Sequence, residues 1–161
     1  MKTLNSSLIL ALIAGFCWLP GGALAAGGGG GDTVSEAPQD PAIASAQEAI
    51  AAKDWRRAAA VMHEALASHP GNADYHNLYA YALRKGPNPD MKEVFRHYEE
   101  ALRIDPGHRN AHEYIGEAYL QVGNLPKAEE HLAALDKLCW LPCEQYSELK
   151  EALEDYQAKH R

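Results

Sequence analysis

Cys139 and Cys143, four positions apart, are the residues whose type and spacing point most directly to chemistry. In an oxidising compartment such thiols close a small disulfide ring. As thiolates they hold Cu(I), or share a zinc ion with two further ligands. Between them lies Trp140-Leu141-Pro142, and Pro142 drives Leu141 out of helical geometry, so a chain break falls inside the motif. A disulfide that staples two helices is the first expectation, because Cys17, the third cysteine, sits in a leader-like segment. Chain entropy gives so short a ring only about 2 kcal/mol. The alternative is a metal- or thiol-handling accessory protein that uses the same pair. None of the eight histidines lies at ligand spacing from either cysteine, and thioredoxin-like pairs have two intervening residues rather than three.

Other matches to chemical motifs are thin. His108 and His112 are four apart, but one falls in a turn and the other at a core position. Ser147-Glu148-Leu149-Lys150 has the S-x-x-K pattern without its companion motifs. His63-Glu64 and His112-Glu113 lack the second histidine of a zinc-protease helix. Glu99, Glu100, Glu129 and Glu130 read as solvated helix faces rather than acid–base pairs. No catalytic residue, no metal ligand set and no cofactor is expected.

The elements that position these residues begin after a leader. Lys2, the apolar run Leu8 to Leu19, the break Pro20-Gly21-Gly22 and Ala23-Leu24-Ala25 have the order of a secretory signal cleaved after Ala25. Its rival is an uncleaved anchor, but the run falls short of the roughly 20 apolar residues that a spanning helix needs. Cys17 follows Phe16, too bulky for a lipoprotein signal. Residues 1–25 are therefore expected to direct export, to a periplasm or outside the cell, with no stable membrane insertion after cleavage. Residues 26–39, with five consecutive glycines, read as a flexible linker. Loss of Lys2 with the leader takes the net charge from −7 to −8, which argues against nucleic acid.

From Asp40 the pattern is helical and repetitive. Glu64-Ala65-Leu66-Ala67-Ser68-His69-Pro70-Gly71 returns 36 residues later as Glu100-Ala101-Leu102-Arg103-Ile104-Asp105-Pro106-Gly107, with Glu, Ala, Leu, Pro and Gly at fixed offsets. A repeat of this length is a helical pair that stacks on its neighbours. Helices are predicted over residues 42–52, 54–68, 75–85, 91–104, 109–122, 125–138 and 143–156. Asp90 with Glu93 has the form of a capping box. On the last helix Tyr146, Leu149, Leu153 and Tyr156 share one face, while Glu148, Lys150, Glu151 and Glu154 cover the outer side.

The third repeat, with His112, Ile115, Gly116, Tyr119, Ala128 and Leu132, resembles the tetratricopeptide repeat family. So does the second, with His76, Tyr79, Ala80, Leu83, Val94, Tyr98 and Pro106. The first, with Ala42, Ser45, Ala46, Ala49, Ala58, Met62 and Pro70 after an aromatic Trp55, fits more loosely, and its small first helix is expected to pack weakly. The resemblance implies an all-α fold: a right-handed α-solenoid of three helix pairs, about residues 40–72, 73–108 and 109–138. A Cys-x3-Cys hinge and a capping helix would complete it over residues 139–161. Ala46, Ala80 and Gly116 are expected where the helices of a pair cross, so a large residue at Gly116 should overpack.

The resemblance also implies a small exported bacterial scaffold without catalytic activity. It would bind a peptide or protein segment in the concave groove lined by first helices. Beside the packed face lie Asn77, Tyr81 and Arg84 in repeat two, and Glu113, Glu117 and Leu120 in repeat three. Arg84 and Asn77 are expected to hold a carboxylate or backbone of the ligand, and Glu113 and Glu117 to attract basic groups.

Overall fold

A computed structural model describes residues 40–160. The leader and the linker expected over residues 1–39 lie outside the described residues. Seven helices follow in order: α1 (Pro41–Ala51), α2 (Trp55–Ser68), α3 (Ala73–Lys85), α4 (Met91–Ile104), α5 (Arg109–Gln121), α6 (Leu125–Leu138) and α7 (Glu144–Lys159). Among the described residues there is no strand.

The boundaries have local causes. Side-chain oxygens of Asp54, Asn72, Asp90 and Asn124 accept first-turn backbone N–H groups and start α2, α3, α4 and α6. His108 caps α5 through Nδ1, which accepts the Ala111 N–H at 3.2 Å. Gly123, at φ 77°, turns the chain out of α5 in the left-handed region open to glycine. The capping box expected at Asp90 is only half made. Asp90 accepts from Lys92 N, but Glu93 turns instead to Arg96, at 3.3 Å.

The first helix is short of large apolar groups, yet it is fastened. Ala46 and Ala49 are fully buried, which brings its backbone close to α2 and α3. Asp40 caps it through the Ala42 and Ile43 N–H groups and accepts a 2.6 Å hydrogen bond from the Tyr75 hydroxyl of α3. That second bond holds the Asp40 carboxyl below its usual range.

Each helix packs on the one or two that follow it, and none reaches further along the chain. The first helices of the pairs, α1, α3 and α5, with α7 after them, touch in sequence, whereas α2, α4 and α6 make no close backbone approach to one another. The inner row is therefore the tighter one, and the stack bends toward it. The apolar core runs the length of the stack. Met62, Tyr75 and Tyr79 fill it near α1. Val94, Tyr98 and Ile115 fill the middle, and Leu135, Leu149 and Leu153 close it under α7.

The Gly116 expectation needs correcting. A side chain there would first meet Leu149 of α7, not the partner helix of its own pair. The small residue exists to seat the capping helix. No described helix is long and apolar enough to cross a membrane.

Candidate functional site

The inner row carries the six positions singled out from the sequence, and the structure closes most of them. Asn77, Arg84, Glu113 and Leu120 are buried, while Tyr81 and Glu117 are partly open. Arg84 is not free to hold a ligand carboxylate. Its Nη2 lies 2.6 Å from Glu117 Oε2 on α5, and its Nε donates to the Tyr98 hydroxyl at 3.4 Å. Leu120 belongs to the core under α7. The reason is geometric: inner-row helices touch, so a position beside the packed face is covered by the next first helix.

Asn77 Oδ1 has no hydrogen-bond partner among the described residues, and the atom is sealed from solvent. Tyr81 instead stands at the middle of an aromatic row. Its ring centroid is 6.2 Å from Trp55 and 4.6 Å from Tyr114, with the Arg84 guanidinium 5.6 Å from its own ring.

Glu113 was expected to draw basic groups, but its carboxyl is turned to Glu148 of α7. Burial pushes its pKa up to about 9, helped by the hydrogen bond to Glu148 and by the charges of Glu148 and Glu117. With its pKa at about 9, Glu113 is a protonated donor at neutral pH that bridges α5 to Glu148, which stays exposed on α7.

This bridge has a signed pH dependence. The folded chain keeps the Glu113 proton where the unfolded chain, with an ordinary value near 4.5, has lost it. The stability it contributes is complete below about 4.5 and is lost as the pH climbs toward 9. Glu113→Gln keeps a neutral donor at every pH. It is expected to stabilise the protein by about 1–2 kcal/mol at pH 8.5, a figure discounted for the solvent around Glu148, and by almost nothing at pH 5. Urea melts at the two pH values check this, and equal gains at both would refute the shared proton.

The open part of the inner row is a cleft of about 360 Å³ where α3, α5 and α7 meet. Arg84, Glu117 and Leu120 line it on one side with Gln121 at the end of α5, and Ala152, Asp155, Tyr156 and Lys159 of α7 line the other, with His160 just past the helix end. Gln121, Asp155 and Tyr156 were missed from the sequence. Their signal was position: each lies one helical turn or less past a residue already chosen, or on the apolar edge of the last helix. A larger depression, about 650 Å³, runs beside α4, lined mainly by Asp90, Lys92, Glu93, Arg96 and Glu99 with Phe95 and Tyr119. Of these charged residues Glu93 and Arg96 are paired with each other, at 3.3 Å.

At the far end of the stack Cys139 and Cys143 form a disulfide, with an S–S distance of 2.02 Å. It joins the C-cap of α6 to the N-cap of α7. Both sulfurs are committed in this bond, so neither is a thiolate available to a metal. Among the described residues no group of three or more His, Cys, Asp or Glu side chains could hold an ion. Trp140 and Leu141 stand out on the ring, 96% and 70% exposed.

Paired helices in two rows, with a continuous core and a cleft on the inner row, define a helical-repeat protein. Residues 43–90 and 88–138 each match a profile described as tetratricopeptide repeat. The chain belongs to the tetratricopeptide repeat family. Among solved structures it is similar to the TPR2B domain of yeast Sti1, in the TPR2B-domain:pHsp70 complex. That likeness has a TM-score of 0.65 and 20% identity, and covers 73% of this chain and 94% of that one. No curated protein matches it.

Proposed function

We propose that this protein is a non-catalytic scaffold that holds a segment of another protein on its inner row. The segment docks at the cleft between α3, α5 and α7. The observation that carries this reading is the cleft itself, an opening in an inner row where Asn77 and Glu113 are buried. The neighbouring domain of Sti1, solved in its pHsp70 complex, supports a protein as the ligand.

Charge supports a ligand with basic groups. Within the cleft Arg84 is neutralised by Glu117 and Lys159 by Asp155 at 3.5 Å, so the chain's surplus of acidic over basic residues sets the sign of the field. The proposal includes export, to the periplasm or beyond. The leader-like residues 1–25 support it, as does the Cys139–Cys143 disulfide, a bond that persists in oxidising compartments.

The test is affinity capture from periplasmic extract, comparing the protein from Ala26 onward with a Gln121→Arg/Asp155→Arg variant. Both positions are exposed, so the variant is expected to melt within about 0.5 kcal/mol of the parent. A protein retained by the parent and weakened at least tenfold by the variant is the expected result. Equal retention by both would remove the cleft as the docking site.

A further inference from the structure

Two histidine pairs of the same construction hold the second and third helix pairs together. His76 on α3 sets Nε2 2.9 Å from the Pro70 carbonyl and Nδ1 2.8 Å from Nδ1 of His97 on α4. His112 on α5 sets Nε2 3.1 Å from the Pro106 carbonyl and Nδ1 3.0 Å from Nδ1 of His131 on α6. His112 follows His76 by 36 positions, and His131 follows His97 by 34. The arrangement is carried by the repeat.

The protons can be placed by chemistry. A carbonyl only accepts, so Nε2 of His76 and of His112 bears the hydrogen. A neutral imidazole then has a bare Nδ1, which accepts from the Nδ1–H of His97 or His131. His97 Nε2 is bare in turn and accepts from Arg96 Nη2 at 2.9 Å. In the first pair every ring nitrogen is used, and each contact contains one proton. An added proton has only two places to go. On His76 Nδ1 it would point at the Nδ1–H of His97, and on His97 Nε2 it would face a guanidinium. The second pair differs in that His131 Nε2 has no hydrogen-bond partner among the described residues.

The surroundings of the first pair do not relieve the conflict. The Tyr79 ring of α3 meets His97 edge-on at 4.7 Å. On α4, Glu93 lies 3.9 Å from His97 Nε2 but is shared with Arg96, while Glu100 favours the charged ring and is itself held by Arg103. On α2, His63 adds opposition rather than relief. Burial, followed by Arg96 and His76, lowers His97 to about 4. His131 is also lowered to about 4, by burial and by His112 and Lys127 against Glu130, with the Tyr119 ring stacked at 5.6 Å. The α1–α2 pair has no such device. His63, which precedes His97 by 34 positions, faces the Tyr79 ring at 5.9 Å, and Asp40 precedes His76 by 36.

We propose that the His76–His97 pair is an acid-released lock between α3 and α4, which opens the middle of the stack while α1–α2 stays closed. His97 keeps its neutral form in the folded chain, whereas an unfolded histidine takes its proton near pH 6.5. Its stabilisation is present above that value and is lost as the pH falls toward 4. Tyr81 and Arg84 ride on α3, so release also loosens the inner row around the cleft.

The test is amide hydrogen exchange at pH 7.0 and 5.0, corrected for intrinsic rates, with a titration of the imidazole nitrogens by NMR. At pH 5.0 ordinary carboxylates are still largely charged, so the histidines dominate the difference. Protection across residues 75–98 is expected to fall about tenfold, with less than a twofold change across residues 55–66. His97 is expected to remain neutral at pH 5.0. His76→Phe/His97→Leu replaces both partners with apolar groups and is expected to abolish the acid loss in residues 75–98. Should that variant not fold, the titration of the parent decides alone. A His97 midpoint between 6 and 7, or protection that falls equally in α1–α2, would overturn the lock.

Discussion

Valine at position 116 is expected to destabilise the protein by about 3 kcal/mol and to loosen α7 ahead of the rest of the stack. A Cβ built on Gly116 lies 2.6 Å from Leu149 Cδ2, 2.7 Å from Cδ1 and 3.2 Å from Cγ. Leu149 is fully buried among Leu120, Leu135 and Leu153, so its branched end has no free volume to move into. The usual gain from replacing a helical glycine is no more than about 1 kcal/mol and is outweighed. Gly116→Ala alone should already cost about 1–2 kcal/mol, since its single added carbon makes the same contact. Leu149→Ala should cost about 2–4 kcal/mol through the cavity it leaves. The two together should cost less than their sum by at least about 1 kcal/mol, because the alanine methyl enters the vacated space. Additive losses in urea melts would place the Gly116 contact elsewhere.

Arg84→Ala is the second large effect, about 2–4 kcal/mol. The Arg84 side chain is 6% exposed and holds Glu117 at 2.6 Å and the Tyr98 hydroxyl at 3.4 Å. Its removal strands the fully buried Tyr98 hydroxyl and leaves Glu117 without its cation. Water reaches Glu117, 28% exposed, which keeps the loss below that of a sealed pair. Arg84 also opposes the upward shift of Glu113, so its loss should drive that carboxyl further up. Arg84→Lys keeps the charge but not the planar fork, and is expected to recover about half of the stability. Arg84→Met with Glu117→Gln should recover most of it, because no unpaired charge remains. A loss under about 0.5 kcal/mol for Arg84→Ala would show that α3 and α5 do not depend on the pair.

The order of helices was legible because its causes are local. Pro70-Gly71 and Pro106-Gly107 end α2 and α4, Gly123-Asn124 separates α5 from α6, and every predicted boundary lies within about three residues of the observed one. The candidate site was less legible, because its chemistry is made between helices. Spacing shows that Arg84 and Glu113 lie beside the packed face. It does not show that the next first helix brings Glu117 to one and Glu148 to the other. Gly116 was read correctly as a residue of close approach and assigned to the wrong neighbour, since the repeat pattern contains no account of α7. The histidine pairs left a trace that went unused: His63, His97 and His131 recur every 34 residues. The tie between Asp40 and Tyr75 left none, because it joins a cap to a ring 35 residues away.

That no helix packs beyond the second one after it has a kinetic meaning. Native contacts close short loops, so the search that precedes the transition state is brief and folding should fall toward the fast end for a chain of this size. Unfolding should proceed from the ends, with each helix pair lost at a free energy set by its own packing and its immediate neighbours. A defect near α1 would then leave the cleft under α7 intact, and damage would stay where it arose.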